Sequence, residues 1–576
     1  MTKRINKAIK TALCLLLAGA LCLSLAACSP IFNFDDGGED SKPAVEHIGH
    51  ITIGTTAVPE DVNILSRSGS MGLFSYTCAV NAPLFVRGEF HRIRGYFALD
   101  YAVSDDATEI RIAFPTTFKW HDGEPVTVDD LIFTLEYRRD VLKDEALASF
   151  KEVRKTADNQ AVIVFSAPDA YRYLRSESAL EGLLPKHVWQ NVTAEQAAEY
   201  KGAGYNVGCG PYKVTKVGSD TVELELFPGN DYLGEARVDS ITIRTYTDKT
   251  ALMEALAAHD IDYIYEYDSP YDYTQAELFA GLEGIDPGSF FGADMDVAVF
   301  GTELPCCSVE EFRKAVLLSI DWEAVKELCC ADTGRVPSGG LLSPSAMGFD
   351  DSPETFVTDR EEAARQLDKA GFADRNDDGV RELPDGRNFS FRIASQALPE
   401  RQELYDKIGA VIVKGLKEIG IRAVYLGPVT DADDQEAPQD DEPAAPDAQE
   451  DGETAEERPG VDLTAGFGLV IGRTESGKDM FRTAAAALAE EGRGWQPVSD
   501  AVLSELLDSL ALATSDDQYT QRAKALQQQL AKDAYGFALC WEEYFFPYRT
   551  DEFEGQSFLP DTGEVNYMLF YKIKKK

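Results

Sequence analysis

The sequence predicts an α/β protein with more than one lobe. Strand-like and helix-like periodicities alternate along the chain, the pattern expected of α/β architecture. Of 576 residues, 44% are hydrophobic and 10% aromatic, enough to bury two or three cores rather than one. After Cys28 no segment approaches an uninterrupted ~20-residue apolar run, so the mature body is expected to be soluble and merely tethered.

The chain begins with an address. Lys3, Arg4, Lys7 and Lys10 precede an apolar run from Ala12 to Ala27, and Leu25-Ala26-Ala27-Cys28 closes it. A basic start holds the cytoplasmic side, the apolar stretch is short for a span, and small residues mark a cut before the cysteine. The arrangement resembles a bacterial lipoprotein signal. That resemblance implies acyl chains on Cys28 and a lipid anchor on the outer face of the cytoplasmic membrane, or a periplasmic position on the outer membrane. An ordinary secretory peptide or a single anchor helix is the plainer alternative. Export disfavours ATP-dependent cytosolic chemistry. Removing the four positive charges of residues 1–27 takes the formal net charge from -44 to -48, a balance that repels nucleic acid and anionic lipid heads.

Ser29 to Glu46 contains Asp35-Asp36-Gly37-Gly38-Glu39-Asp40 and Ser41-Lys42-Pro43, which bury little and read as a flexible tether. The fold is expected to start near His50. His50 to Thr55 and Glu109 to Phe114 alternate as strands, and Thr127-Val128-Asp129-Asp130 is a capping box opening a helix that runs to Tyr137. Val162 to Phe165, Tyr212 to Lys216, Val222 to Phe227 and Ile241 to Tyr246 read as strands. Lys249 to Ala258 reads as a helix followed by a strand at Ile261 to Ile264. Val309 to Ala331 forms two helices broken at Ser319-Ile320-Asp321, and Asp359 to Ala370 forms another, ended by Gly371. Glu400 to Ile419, ended by Gly420, is expected to be the longest helix, with a strand at Ile421 to Leu426. Asp431 to Glu457 holds thirteen acidic residues, three prolines and no Lys or Arg, and reads as a disordered insertion. An amphipathic helix at Gln518 to Ala534 and a strand at Gly536 to Trp541 follow.

Without Cys14, Cys22 and Cys28, seven cysteines remain: Cys78, Cys209, Cys306, Cys307, Cys329, Cys330 and Cys540. An odd number leaves at least one thiol free. A helical hairpin could bring Cys306-Cys307 to Cys329-Cys330 for a disulfide, while buried free thiols are the plainer reading. A four-thiolate metal site lacks the usual Cys-x-x-Cys spacing.

The most distinctive stretch of the mature chain is Phe118-Lys119-Trp120-His121-Asp122-Gly123-Glu124-Pro125-Val126-Thr127, which reads as strand, tight turn and helix cap. Adjacent His121 and Asp122 in an extended turn rarely meet one substrate atom, which argues against catalysis. The stretch resembles the Trp-x-Asp-Gly-x-Pro segment of the family 5 extracellular solute-binding proteins, the oligopeptide and nickel receptors of ABC importers. Leu184-Pro185-Lys186-His187 resembles the family's Leu-Pro-Lys-His turn. Val207-Gly208-Cys209-Gly210-Pro211-Tyr212 resembles its Gly-Thr-Gly-Pro-Tyr strand entry, with Cys209 in place of the usual threonine. Phe227 to Tyr232 is similar to its Asn-x-x-Tyr turn, Glu311 to Ala315 with Ile320-Asp321 to a helix pair, and Ala363 to Phe372 to a helix closing in Lys-Ala-Gly. The resemblance extends over almost the whole chain after His50. It implies an α/β, two-lobed periplasmic-binding-protein-like fold (type II) with an additional small subdomain. After a signal at 1–27 and a tether at 28–49, lobe I would comprise 50–85, 206–286 and 495–576. The small subdomain would be 86–205 and lobe II 287–494, with the acidic insertion at 430–460.

Asp374-Arg375-Asn376-Asp377-Asp378-Gly379-Val380 fits the start of an EF-hand-like loop, with candidate ligands Asp374, Asn376, Asp378, the Val380 carbonyl and Asp385. Asp385 stands where a longer glutamate closes such loops, so calcium (Ca2+) competes with a plain Asp/Asn/Gly turn. Gly472-Arg473-Thr474-Glu475-Ser476-Gly477-Lys478-Asp479 satisfies most of a phosphate-loop pattern. Asp479 replaces the Mg²⁺-binding hydroxyl and Glu475 adds a carboxylate among the amides, which argues against nucleotide. The resemblance instead makes Ala57, Arg473, Thr474 and Glu475 candidates for the ligand crevice, against a plain surface loop at 472–479.

The implied function is a tethered monomeric receptor that captures a short peptide or similar solute and hands it to ABC permease and ATPase subunits, requiring no cofactor. A receptor for a nickel chelate or sugar, or a sensory lipoprotein, is the alternative. A lipoprotein hydrolase is more remote, because Gly-x-Ser-x-Gly, His-Glu-x-x-His and Ser-x-x-Lys are all missing.

Overall fold

Three sheets organise the chain. The computed structural model describes residues 46–57, 62–65, 78–230, 232–266, 269–292, 294–429, 467–474, 500–555, 557–559 and 562–576. The expected signal, Cys28, the tether up to Val45 and the acidic insertion at 431–457 lie outside these residues.

The first sheet has five strands in the order Tyr263–Ile264, Ile51–Thr55, Ser240–Thr245, Thr221–Leu226 and Tyr212–Val217. Its first three strands are parallel and the rest antiparallel. The strand expected at Ile261 is shorter than predicted, because the Asp262 carboxylate turns back to accept the Thr52 amide at 2.6 Å. The second sheet, antiparallel, runs Asp100–Val103, Glu109–Ala113, Gln160–Phe165 and Phe150–Ala157. Beside it lies the helix Val128–Asp140, capped as predicted: Asp130 Oδ2 accepts both the Thr127 amide and hydroxyl at 2.9 Å.

The third sheet runs Ala423–Val429, Phe391–Gln396, Leu469–Thr474, Met295–Phe300 and Gly536–Ala538. Its first three strands are parallel, and Met295–Phe300 is antiparallel to both of its neighbours. Both faces of Met295–Phe300 are buried, Val297 and Val299 in one apolar cluster and Ala298 and Phe300 in another, which explains its nearly continuous apolar run. The helices Glu310–Ser319 and Trp322–Cys330 break where predicted. The longest described helix is not the predicted one: Asp516–Asp533 has 18 residues and Gln402–Glu418 has 17.

Two passages of chain run side by side, one between the last strand of the first sheet and the first strand of the third, the other just after the third sheet's last strand in sequence. Ile285–Asp286 pairs with Tyr548–Arg549, and Ser289–Phe291 with Glu543–Phe545, both antiparallel. Gly288 bends the first passage at φ +57, and a Cβ there would stand 2.4 Å from the Phe546 carbonyl oxygen.

The seven cysteines described are free and buried. The two vicinal pairs do not form the hairpin bridge: Cys330 Sγ faces Cys540 Sγ at 2.7 Å, while Cys307 Sγ lies 3.4 Å from the Gly468 carbonyl and 3.8 Å from Cys306 Sγ. Among the described residues no helix is long and apolar enough to cross a membrane.

Candidate functional site

The distinctive sequence motifs assemble into a joint. His121 Nε2 donates to the Gly210 carbonyl at 3.0 Å while its Nδ1 accepts the Gly208 amide at 3.3 Å, so one tautomer satisfies both. Burial holds its pKa down to about 4, which keeps the ring neutral. Asp122 points elsewhere, to His187 Nε2 at 2.7 Å. Asp130 Oδ1 accepts the Lys186 amide at 3.0 Å, and Asn230 Nδ2 donates to the Lys119 and Cys209 carbonyls at 2.8 and 2.9 Å. These motifs fasten chain segments to one another, and His121 and Asp122 do not converge on one atom.

The charged site lies on the third sheet. Asp296 and Arg473 are register partners in adjacent strands, so their side chains share a face. Asp296 is 1% exposed in a strand otherwise wholly apolar, and such a carboxylate needs cationic partners. Arg473 Nη1 reaches Asp296 Oδ1 at 3.2 Å, and Arg401, just ahead of the helix Gln402–Glu418, reaches Asp296 Oδ2 at 3.2 Å. Glu542 completes a quartet, 2.9 Å from Arg401 and 3.4 Å from Arg473. Tyr405 donates to Asp296 Oδ1 at 2.8 Å and Tyr544 to Glu542 Oε2 at 2.6 Å.

Burial raises the pKa of Asp296, and Arg473 and Arg401 only partly pull it back. Burial also works to raise Glu542, yet Arg473 and Arg401 carry it below the usual carboxylate range. Burial works to lower both arginines, but Asp296 and Glu542 push them further up, so both stay charged.

A cavity of ≈ 390 Å³ opens beside this quartet. Asp272, Tyr273, Thr274, Arg401, Glu542 and Tyr544 are among the residues lining it. Residues 272–274 fall in the segment assigned from sequence to lobe I, and Arg401 in the segment assigned to lobe II.

Of the crevice candidates, Arg473 belongs to the quartet behind the cavity. Thr474 faces the opposite way, 1% exposed, its hydroxyl 3.2 Å from both the amide and the carbonyl of Met295. Glu475 lies outside the described residues. Ala57 lies two residues past the end of the first strand, where its carbonyl accepts the Thr245 hydroxyl at 2.9 Å. Its neighbour Thr56 donates to the buried Glu266 through its amide and its hydroxyl, at 2.5 and 2.6 Å. Gly472, Arg473 and Thr474 are strand residues, so the phosphate-loop pattern does not fold as a loop there. Sequence reasoning missed Asp296, Arg401 and Glu542; the signal available was the lone acid in Met295–Phe300.

The calcium candidates form a set of local turns. Asp374 Oδ2 accepts the Gly379 amide, Asp378 Oδ1 the Val380 amide, both at 2.8 Å, and Asn376 Oδ1 the Asp378 amide at 2.9 Å. Asp385 instead holds Arg387 at 2.8 Å. Among the described residues no group of three or more His, Cys, Asp or Glu is placed to hold a metal ion.

Residues 92–447 match the bacterial extracellular solute-binding proteins, family 5. The chain belongs to this family. It is 24% identical over 446 residues to the oligopeptide-binding protein AppA of Bacillus subtilis, spanning 72% of this chain and 75% of that protein. The structure of AppA in complex with a nonapeptide is similar with a TM-score of 0.55 at 17% identity, covering 92% of this chain and all (100%) of AppA. An ABC transporter substrate-binding protein from Sinorhizobium meliloti has a TM-score of 0.68 at 17% identity, over 92% of this chain and 100% of the other. NikZ from Campylobacter jejuni in complex with Ni(L-His) has a TM-score of 0.55 at 16% identity, over 91% and 99%. The fold is thus the α/β type II periplasmic-binding-protein-like fold that the sequence resemblance implied. Solute binding for transport, and not a nucleotide-dependent reaction, is the business of the family.

Proposed function

We propose that this protein captures short peptides in the cavity beside the Asp296 quartet and delivers them to the permease and ATPase subunits of an ABC importer, making and breaking no bond. The observation that carries the reading is the cavity's make-up: residues 272–274 line it together with Arg401, Glu403 and Leu404 at the start of the Gln402–Glu418 helix. Lobe I would be built on the first sheet and lobe II on the third, with Gly536–Ala538 contributed to lobe II. The paired passages at 285–291 and 543–549 would serve as the hinge. Peptide touching both walls favours closure by its differential affinity, and moving a 1:99 equilibrium to 99:1 takes ~5.5 kcal/mol of that difference. Main-chain hydrogen bonds to an extended peptide are one source of it. AppA, whose name and complex both speak of oligopeptides, supports peptides over other solutes. Among the described residues no histidine lines the cavity, which favours peptide over a nickel chelate held by imidazole. The rest of the proposal follows the N-terminal signal: a monomer held on the outer face of its membrane by lipid on Cys28.

Mass spectrometry of small molecules released from gently purified protein tests the function. A mixture of short peptides is expected; a single sugar or a chelated metal contradicts it. We also propose that calcium is not part of the fold. Millimolar CaCl₂ is expected to leave the melting temperature unchanged, since a ligand binding only the native state raises stability by mass action. A rise abolished by Asp374→Asn overturns this.

A further inference from the structure

Three buried sulfurs converge where two distant parts of the chain meet. Cys329 and Cys330 end the helix Trp322–Cys330, and Cys540 lies two residues past the strand Gly536–Ala538. Cys330 Sγ stands 2.7 Å from Cys540 Sγ, although the two are 210 residues apart in sequence. Unbonded carbons rest at roughly 3.5–4.0 Å and sulfur is larger, so this pair is already closer than packing alone would bring it. The Cys540 sulfur is also within hydrogen-bonding reach of Cys329. Backbone pairing holds the approach: the Arg335 amide donates to the Trp541 carbonyl and the Trp541 amide to the Arg335 carbonyl, both at 3.1 Å. Gly334, at φ +67, leaves the space that Cys330 occupies, since a Cβ there would stand 2.6 Å from the Cys330 sulfur and from the Trp541 carbonyl oxygen. Among the described residues these sulfurs form no group placed for a metal ion, which leaves sulfur–sulfur chemistry.

We propose that Cys330 and Cys540 form a disulfide in the exported protein, stapling the Trp322–Cys330 helix to the segment that follows Gly536–Ala538, with Cys329 left as a free thiol beside the bond. Export, which belongs to the proposed function, supplies the oxidising side of the membrane. The oxidant is a second disulfide, that of glutathione or of an exported thiol–disulfide oxidoreductase. One cysteine thiolate attacks it and releases a thiolate; the other then displaces the remaining half, so the Cys330–Cys540 bond forms and the oxidant's own S–S bond breaks. Two electrons pass to the oxidant, and the two cysteine protons end on its two thiols. Cys330 and Cys540 are 0% and 1% exposed, so the exchange takes place while the chain is folding, and the bond is sealed once it has folded. Neither vicinal pair competes: consecutive Cα atoms stand about 3.8 Å apart, inside the ~4.4 Å at which disulfide geometry begins. The staple ties together two stretches that contribute to the cavity lining, Leu328 and Cys329 on the helix and Glu542 to Tyr544 beyond Cys540.

Peptide mapping tests the pairing without a substitution. Residues 28–576 are refolded with oxidised and reduced glutathione, alkylated in urea with iodoacetamide and cut with trypsin, and protein taken from the outer face of its own cells is treated likewise. Glu327–Arg335 and Asp533–Arg549 are expected as one linked mass carrying a single alkyl group. Fragmentation between the adjacent cysteines should place that group on Cys329. Recovery of the two peptides apart, with all three cysteines alkylated, overturns the inference, as does an alkyl group on Cys330. Absence of the protein from the outer face contradicts export instead, and the refolded sample still judges the pairing. For the staple, the linked chain is reduced in urea and refolded with the reductant kept in. Its melting temperature is expected to fall by a few degrees, because a closed loop no longer restrains the unfolded chain. Cys540→Ser, treated in the same way, should show no such fall. An equal fall in both chains, or none in the native one, overturns the stapling.

Discussion

Asp296→Ala is expected to cost about 3–5 kcal/mol of unfolding free energy, read from the midpoint of urea denaturation. That is the usual cost of removing one partner from a buried ion network. The substitution leaves Arg401 and Arg473 to share Glu542 alone, and frees the Tyr405 hydroxyl that donates to Asp296 at 2.8 Å. A surface salt bridge would lose at most about 1 kcal/mol, so the size of the effect separates a structural floor from a decorative pair. Asp296 also sits one layer behind the cavity residues Arg401 and Glu542, so peptide affinity in the variant should fall along with stability. An effect below about 1 kcal/mol would mean that the quartet is solvated.

Glu564→Gln is expected to stabilise the protein at pH 8 and to be neutral near pH 4. Glu564 is 5% exposed, and its Oε2 has no hydrogen-bond partner among the described residues. Burial, and then the neighbouring charge of Asp286 in the first passage between the sheets, push its pKa up to about 7. A raised acid binds its proton more tightly folded than unfolded. Its contribution to stability is therefore fully present below the ordinary glutamate value of about 4.3 and is lost as pH rises through about 7. Over that window the native chain should lose roughly 2–4 kcal/mol that the glutamine variant keeps. Urea titrations at pH 4 and pH 8 check it; a difference between variant and native chain that is the same at both pH values contradicts it.

Much of the fold was legible because its elements are stated locally. The Thr127 capping box, the break at Ser319-Ile320-Asp321 and the strand of alternating residues from Ile51 are each set within a few neighbours. The Trp120 to Thr127, Leu184 to His187 and Gly208 to Tyr212 segments were rightly singled out, but they turn out to bind one another. The charged site was less legible because Asp296, Arg401, Arg473 and Glu542 come from four distant segments, and no local window holds more than one. Two clues were still available. An acid inside Met-Asp-Val-Ala-Val-Phe demanded a buried cation, and the period of a strand sends Arg473 and Thr474 to opposite faces, so both could not enter one crevice. The cysteines were illegible for the opposite reason: adjacency in sequence suggested two facing pairs, while Cys330 meets Cys540 on the strand-bearing segment at the far end of the chain.

Hydrogen exchange with and without a saturating short peptide, chosen from those released by the purified protein, tests most directly whether one guest is gripped from two sides. Amides around 272–274 and those at the start of the Gln402–Glu418 helix should be protected together, with little change in the open hollow of ≈ 700 Å³ bordered by Asp122, His187 and Tyr200. Protection confined to one wall, or appearing at that hollow instead, would contradict capture between the two sides.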